Sequence, residues 1–132
     1  MGKRILTFLS FSIFFCTAVS AQNLLSNAGF ENFRTCPSNM MGVDMMLEDV
    51  SIPTSSSGDY FNRCGSGDFG VPENFKGVQR AAEGSGYIGL YFHALNDYRE
   101  YIQLNTTKTL REKYPYKISF QVSLAENSKL PL

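Results

Sequence analysis

The sequence predicts an all-β fold, and three observations support that prediction. Short apolar segments of strand length are separated by turns rich in Gly, Asn, Ser and Pro. No long stretch places its apolar residues at helical spacing. Residues 116–124 alternate apolar and polar side chains, which is typical of a strand with one buried face. Several short strands joined by Gly-rich turns favour a β-sandwich.

The first 21 residues are organised like a cleavable signal peptide. Two basic residues precede an apolar and hydroxylic core at 5–19, which is shorter than the about 20 residues of a membrane span, and Ala21 offers a cleavage site. Cys16 raises the alternative of a lipoprotein, but two Phe residues directly before it are too bulky for a lipobox. We expect an exported protein of the periplasm, outer membrane surface or extracellular space, without a membrane span after cleavage.

The mature segment, residues 22–132, is long enough for one domain with one core. The full sequence, with the predicted signal peptide included, carries 12 Lys and Arg against 12 Asp and Glu, which gives a formal net charge of zero. No single-sign field is then available to attract a polyanion. We therefore expect no nucleic-acid partner.

Two cysteines, Cys36 and Cys64, follow the predicted cleavage site. In an oxidising compartment such a pair is expected to form a disulfide, and the alternative is a pair of buried free thiols. The two residues lie within a polar region, 35–74, in which only 47–52 resembles a strand. A disulfide would tie this long loop region down.

The remaining elements follow in chain order. Residues 23–33 predict two short strands separated by a turn at 27–29. Residues 86–92 and 98–104 predict the two strands of a hairpin with its loop at 93–97. The strand at 116–124 is followed by few residues, so we expect an incomplete sandwich with an unpaired, apolar strand edge near the carboxy terminus.

An ordered set of motifs carries a family resemblance. The motifs are N-L-L-x-N-x-x-F-E at 23–31, C-P at 36–37, D-Y-F-N-x-C at 59–64, V-P-x-N-F-x-G-x-Q at 71–79, G-Y-x-G-L-Y at 86–91, Y-R-E-Y-I at 98–102 and V-S-L-A at 122–125. This set resembles the amino-terminal module of OmpA-type envelope proteins from Bacteroidetes. This chain departs from the pattern at Val50, where relatives commonly carry Trp, and it ends where relatives continue with further strands.

The resemblance implies an antiparallel jelly-roll β-sandwich similar to carbohydrate-binding and galactose-binding-like domains. In that family the module often precedes a peptidoglycan-anchoring domain. Jelly-roll modules with a similar Asn-x-x-Phe-Glu motif often hold a structural calcium, and the resemblance makes Glu31 a candidate ligand. The alternative role of Glu31 is that of a solvated strand carboxylate.

The side-chain inventory does not predict an enzyme. A hydrolase needs a nucleophile with a base, or two facing carboxylates. His93 is the only histidine and lies in a predicted loop, and the carboxylates follow no catalytic spacing. We expect a non-catalytic module that binds glycan or a wall component. A structural or adhesive domain with a protein partner is the alternative, and a glycan-cleaving enzyme is a third.

The Y-R-E-Y-I segment supplies the candidate ligand site. If it alternates, Arg99, Tyr101 and Gln103 share the wet face, where a guanidinium, an aromatic ring and an amide suit a polyol. The apolar face is then formed by Tyr98, Glu100, Ile102 and Leu104, and Glu100 needs a partner there, such as Arg80 or Arg111.

Overall fold

The computed structural model describes residues 22–40 and 42–129, so the predicted signal peptide lies outside the described residues. Regular structure in this part is mostly strand with little helix, in agreement with an all-β prediction. None of its helices has the length and apolar character that a membrane span requires. The elements are α1 (Val43–Met46), β1 (Val50–Ser51), β2 (Asp59–Asn62), β3 (Glu73–Asn74), β4 (Gly77–Val78), β5 (Gly86–Gly89) and β6 (Gln103–Leu104), with 3-10 turns at Gly67–Phe69 and Leu95–Asp97.

The strands form three antiparallel pairs that are nested along the chain. β3 pairs with β4, β2 with β5 and β1 with β6, so that each outer pair encloses the next one in sequence. The longest pair, β2 with β5, places Phe61 opposite Tyr87 and Tyr60 opposite Ile88. The described residues thus form short two-stranded sheets, and a jelly roll is not assembled among them.

The predicted hairpin between 86–92 and 98–104 is wrong in its pairing. β5 pairs instead with β2, which the sequence placed in a loop region, and β6 pairs with β1. Only the tip of the hairpin remains, where Ala94 bridges Tyr98 and the Glu100 N–H donates to the Tyr91 carbonyl at 2.8 Å. Pairing with β2 allows both faces of this sheet to be covered, which a local hairpin would not provide.

One face of β2 packs on the main apolar core. Tyr60 lies there with Val43 and Met46 of α1, Leu47 directly after it and Val50 of β1, all of which are buried. Partly buried side chains complete this cluster: Phe30, Phe33, Ile52, Ile88, Ile102 and Leu104. Burial of each large apolar side chain contributes about 1.5 to 3 kcal/mol, so this cluster is a principal source of stability.

The opposite face of β2 carries an aromatic cluster. The Phe61 ring lies 5.2 Å from that of Tyr87 and 5.6 Å from that of Phe75, and the Phe75 ring lies 5.5 Å from that of Phe69. These distances are typical of favourable aromatic pairs. Because successive strand residues point to opposite faces, β2 joins both clusters.

A buried polar network fixes the first turn against β2. The Tyr60 hydroxyl donates to the Phe30 carbonyl at 2.8 Å and accepts from Asn62 Nδ2 at 2.7 Å, while Asn62 Oδ1 accepts from the Cys64 N–H at 2.9 Å. Burial raises the pKa of Tyr60 to about 12. Gly86 is required here, because a Cβ would lie 2.7 Å from Asn62 Nδ2 and 2.9 Å from the Tyr60 hydroxyl.

The first predicted turn is present, but the strands beside it are not. Residues 26–29 form the turn, and Asn27 Nδ2 donates to the carbonyls of Asn32 and Glu48 at 2.8 and 2.9 Å. The flanking segments form single bridges, Leu25 with Thr106 and Phe33 with Leu47. Buried Asn27 therefore holds this segment in place where a strand ladder was expected.

The predicted disulfide is confirmed. Cys36 and Cys64 are bonded with a Cα–Cα distance of 5.6 Å across 28 positions of sequence. Beside it, the Ser66 N–H donates to the carbonyl of buried Pro37. The bond ties the first segment to the second residue after β2.

The predicted strand at 116–124 has no partner strand among the described residues. Residues 114–125 carry no strand, and Ile118 and Phe120 are 87% and 78% exposed. Ser123 Oγ lies 2.7 Å from Gln79 Oε1, and Glu126 Oε2 accepts from the Val78 N–H at 3.0 Å. The prediction of a strand with one buried face and an unpaired edge is therefore wrong for this segment, because its apolar side chains are exposed and no ladder forms there.

Candidate functional site

A shallow groove of about 300 Å³ lies between two loop segments. One wall comes from the hydroxylic loop after β1, and the other from the residues that follow the 3-10 turn Leu95–Asp97. The lining residues are Thr54, Ser55, Ser56, Asp97, Tyr98, Arg99 and Tyr101. The groove is therefore rich in hydroxyl and aromatic groups and contains one ion pair.

The ion pair joins Arg99 to Asp97 through two hydrogen bonds. Arg99 Nε and Nη2 donate to Asp97 Oδ1 at 3.1 and 2.6 Å. These hydrogen bonds and the guanidinium charge lower the pKa of Asp97. His93 Nε2 lies 3.7 Å from the same oxygen. The pair presents a planar, charge-balanced group to the groove.

Two tyrosine rings flank this pair and are accessible from solvent. Tyr98 is 40% exposed and Tyr101 is 48% exposed. The Tyr98 ring meets the Tyr91 ring edge-on, with 6.4 Å between centroids. An aromatic ring that is fixed on one side and open on the other can stack against a ligand ring.

Glu100 lies behind the groove and holds its two walls together. Its side chain is buried, and Oε2 accepts from the Tyr91 N–H at 2.8 Å. Oε1 accepts from the Tyr98 hydroxyl at 3.0 Å and lies 3.5 Å from Ser57 Oγ. Burial of Glu100 was predicted, but a partner at Arg80 or Arg111 is wrong. Hydroxyl and backbone donors satisfy this carboxylate in place of a counter-charge.

A second carboxyl group, Asp59, lies near Glu100. Partial burial and the Glu100 charge raise the pKa of Asp59, while Lys76 opposes this rise. Lys76 also lies 4.1 Å from the centre of the Tyr91 ring and contacts its hydroxyl. Neither Asp59 nor Glu100 lines the groove.

The structure brings together two of the three predicted ligand residues. Arg99 and Tyr101 line the groove, whereas Gln103 lies in β6, exposed but outside it. Exposure alternates along 99–104 as predicted, but Tyr98, which was expected on the apolar face, is exposed. Sequence reasoning missed the other lining residues, Thr54, Ser55, Ser56, Asp97 and Tyr98. The hydroxylic run was visible in the sequence, but nothing local indicated that it faces Arg99.

Glu31, the candidate calcium ligand, contacts the start of β5. Its Oε1 accepts from the N–H groups of Ser85 and Gly86 at 2.7 and 3.0 Å. Within 22–40 and 42–129, no group of three or more His, Cys, Asp or Glu residues is placed to hold a metal ion. These contacts give Glu31 a structural role, and calcium at this position stays a prediction from the resemblance.

Comparisons with known proteins add no relative. No protein-family model, curated protein or solved structure matches the chain.

Proposed function

We propose that this chain is an exported, non-catalytic envelope module that binds glycan or another wall component in the groove. The observation that supports this is the combination of exposed Tyr98 and Tyr101 rings with the Arg99–Asp97 pair in one concave surface. Sugar rings stack on aromatic side chains, and their hydroxyls need adjacent donors and acceptors. The motif resemblance to jelly-roll envelope modules favours the same function.

The electrostatics of the groove favour a neutral glycan. Asp97 balances the charge of Arg99, so the pair offers donors and acceptors without a net field. The Thr54 hydroxyl lies 2.7 Å from that of Ser56, and both groups at the rim can donate or accept a hydrogen bond. We therefore expect neutral polyols to bind in preference to anionic ones.

The same geometry supports a binding role without catalysis. Glycoside cleavage needs two carboxyl groups that flank the scissile bond, and a general acid needs a raised pKa. Asp97 is the one carboxylate among the groove residues, and Arg99 lowers its pKa. Asp59 and Glu100 do not line the groove.

The test is binding of the mature protein to purified peptidoglycan and to a panel of neutral polysaccharides. We expect Arg99→Ala/Tyr101→Ala to weaken binding about tenfold or more, because it removes a stacking ring and the planar donor. The melting temperature should change little, since exposed ion pairs contribute about 0 to 1 kcal/mol.

A matched control exists elsewhere on the surface. Arg111 lies over the Tyr114 ring at 5.9 Å, and both residues are exposed and outside the groove. Arg111→Ala/Tyr114→Ala should bind like the wild type. Equal losses in the two double variants, or undiminished binding after Arg99→Ala/Tyr101→Ala, would return Arg99 and Tyr101 to a structural role.

A protein-binding or adhesive module is the second candidate function. The exposed apolar side chains of residues 116–124 favour it, because apolar surface without cover is typical of interaction sites. Binding to a protein partner that persists in Arg99→Ala/Tyr101→Ala would support this candidate over the glycan module.

A further inference from the structure

A second cavity, of about 430 Å³, lies away from the groove. Its lining comes from three places in the chain: Arg63 directly after β2, Val71 and Pro72 before β3, and Arg80 with Ala81 after β4. The Arg63 N–H donates to the Ser85 carbonyl at 2.9 Å, and the Gln79 N–H donates to the Pro72 carbonyl at 2.7 Å. These backbone contacts fix the main chain at or next to both arginines, whose side chains are exposed.

The two arginines of this cavity differ from the other described arginines. Arg34 donates to two backbone carbonyls, Arg99 pairs with Asp97, and Arg111 lies over the Tyr114 ring.

Arg63 and Arg80, in contrast, have no side-chain partner within 22–40 and 42–129. Neither guanidinium forms an ion pair with a described carboxylate. No described group accepts a hydrogen bond from their side chains, and neither lies over an aromatic ring. Two unpaired positive charges therefore line one cavity in a chain whose net charge is zero.

Guanidinium groups determine which ligand this cavity suits. Each presents a planar fork of donors that matches the oxygens of a carboxylate, sulfate or phosphate. An apolar wall is provided by Val71, Pro72 and Ala81, and it can contact the part of the ligand that carries the anionic group.

We infer that this cavity is an anion-binding site for a carboxylate, sulfate or phosphate group, either free or carried on a small ring. The site is independent of the groove, because the two share no lining residue. Its specificity is opposite to that expected of the groove, where the arginine already has its counter-charge. One module would then hold a neutral and an anionic group at separate positions.

The test is a titration of the ¹⁵N-labelled protein, followed by NMR, with inorganic phosphate, sodium sulfate and glucuronate. Ionic strength is held constant with sodium chloride. We expect saturable shifts at Arg63, Arg80 and Ala81, including the arginine Nε–H signals. Glucuronate should also shift Val71 if its ring contacts the apolar wall.

Variants of the two arginines distinguish the effect of their positive charge from that of guanidinium geometry. Arg63→Gln/Arg80→Gln should weaken binding about tenfold or more, Arg63→Lys/Arg80→Lys should weaken it less, and Arg111→Gln should leave it unchanged. Arg99→Ala/Tyr101→Ala should bind these anions like the wild type, which distinguishes failure here from failure of the glycan proposal. Shifts spread over all basic residues, or unchanged binding in the glutamine variant, would overturn the site.

Discussion

The buried carboxylate of this chain accepts its hydrogen bonds from uncharged donors. Glu100 is 5% exposed and is held by the Tyr91 N–H and the Tyr98 hydroxyl, without an arginine. Half-buried Asp59 lies near that charge and has its pKa raised by burial first and by Glu100 second. Ionisation of Asp59 therefore opposes folding, whereas Glu100 organises the wall of the groove.

Replacement of Asp59 by Asn is expected to stabilise the protein at neutral pH. A carboxyl group with a pKa above its ordinary value of 3.8 in the folded state costs stability when it ionises. That cost is full above the raised pKa and vanishes as pH falls below the ordinary value. Asp59→Asn should thus exceed the wild type in free energy of unfolding at pH 7 and converge with it in acid, as measured by urea denaturation across pH.

Asp68→Asn is the matched control, because Asp68 is an exposed carboxylate. It should not give the gain in free energy of unfolding at pH 7 that is expected of Asp59→Asn. A variant at Asp59 that is less stable than the wild type at pH 7 would contradict the assigned direction.

Single residues show where sequence reasoning succeeded and where it did not. Alternation along 99–104 predicted that Arg99 and Tyr101 face solvent while Glu100 is buried, because side-chain direction in extended backbone is a local property. One partner of Glu100, the Tyr98 hydroxyl, is two positions away, but another partner is not local. Ser57 lies 43 positions away, and no spacing rule connects the two.

At the scale of elements, the segment 116–124 is apolar on one side and uncovered. Its exposed apolar residues are Tyr116, Ile118, Phe120, Val122 and Leu124. No backbone group of these residues bonds to the rest of the described chain. Unpaired extended segments of this kind are templates for pairing with another chain.

We predict that the protein self-associates through this segment. In an antiparallel pairing of two copies centred on Phe120, Lys117 lies opposite Ser123, so no like charges meet. Ile118→Lys/Phe120→Lys should therefore shift the protein to monomer in sedimentation velocity.

Substitutions on the polar side provide the control for this prediction. Ser119→Thr/Gln121→Thr keeps strand propensity and should keep the association. A wild-type protein that sediments as a monomer at all concentrations would refute pairing through 116–124.

Pairing between elements was the least predictable part of the fold. The pattern of 86–92 and 98–104 indicated extended segments, but a neighbouring pair of such segments predicts a hairpin by default. Here β5 pairs with β2 and β6 with β1 because those pairings cover Tyr60 and Phe61 on opposite faces. Which strands pair depends on burial in the whole fold, and the periodicity within one segment does not predict it.

At the scale of the whole molecule, the disulfide has a large share of the stability. The cross-link between Cys36 and Cys64 spans 28 positions, for which the chain-entropy model gives about 3 to 4 kcal/mol. Cys36→Ser/Cys64→Ser should lose about that free energy of unfolding in urea titrations.

The reduced wild-type protein is the matched comparison and should lose a similar amount. A loss below about 1 kcal/mol in both would mean that the apolar core and the aromatic cluster hold the long loop without the cross-link.

Nesting of the strand pairs has a kinetic consequence. β3 and β4 are separated by two residues, so their turn can close early and at small entropic cost. Once it has closed, the effective loop between β2 and β5 is shorter, and closing that pair in turn brings β1 towards β6. The chain can therefore fold from the inside outwards, and β1, although made before the other strands, is the last to find its partner.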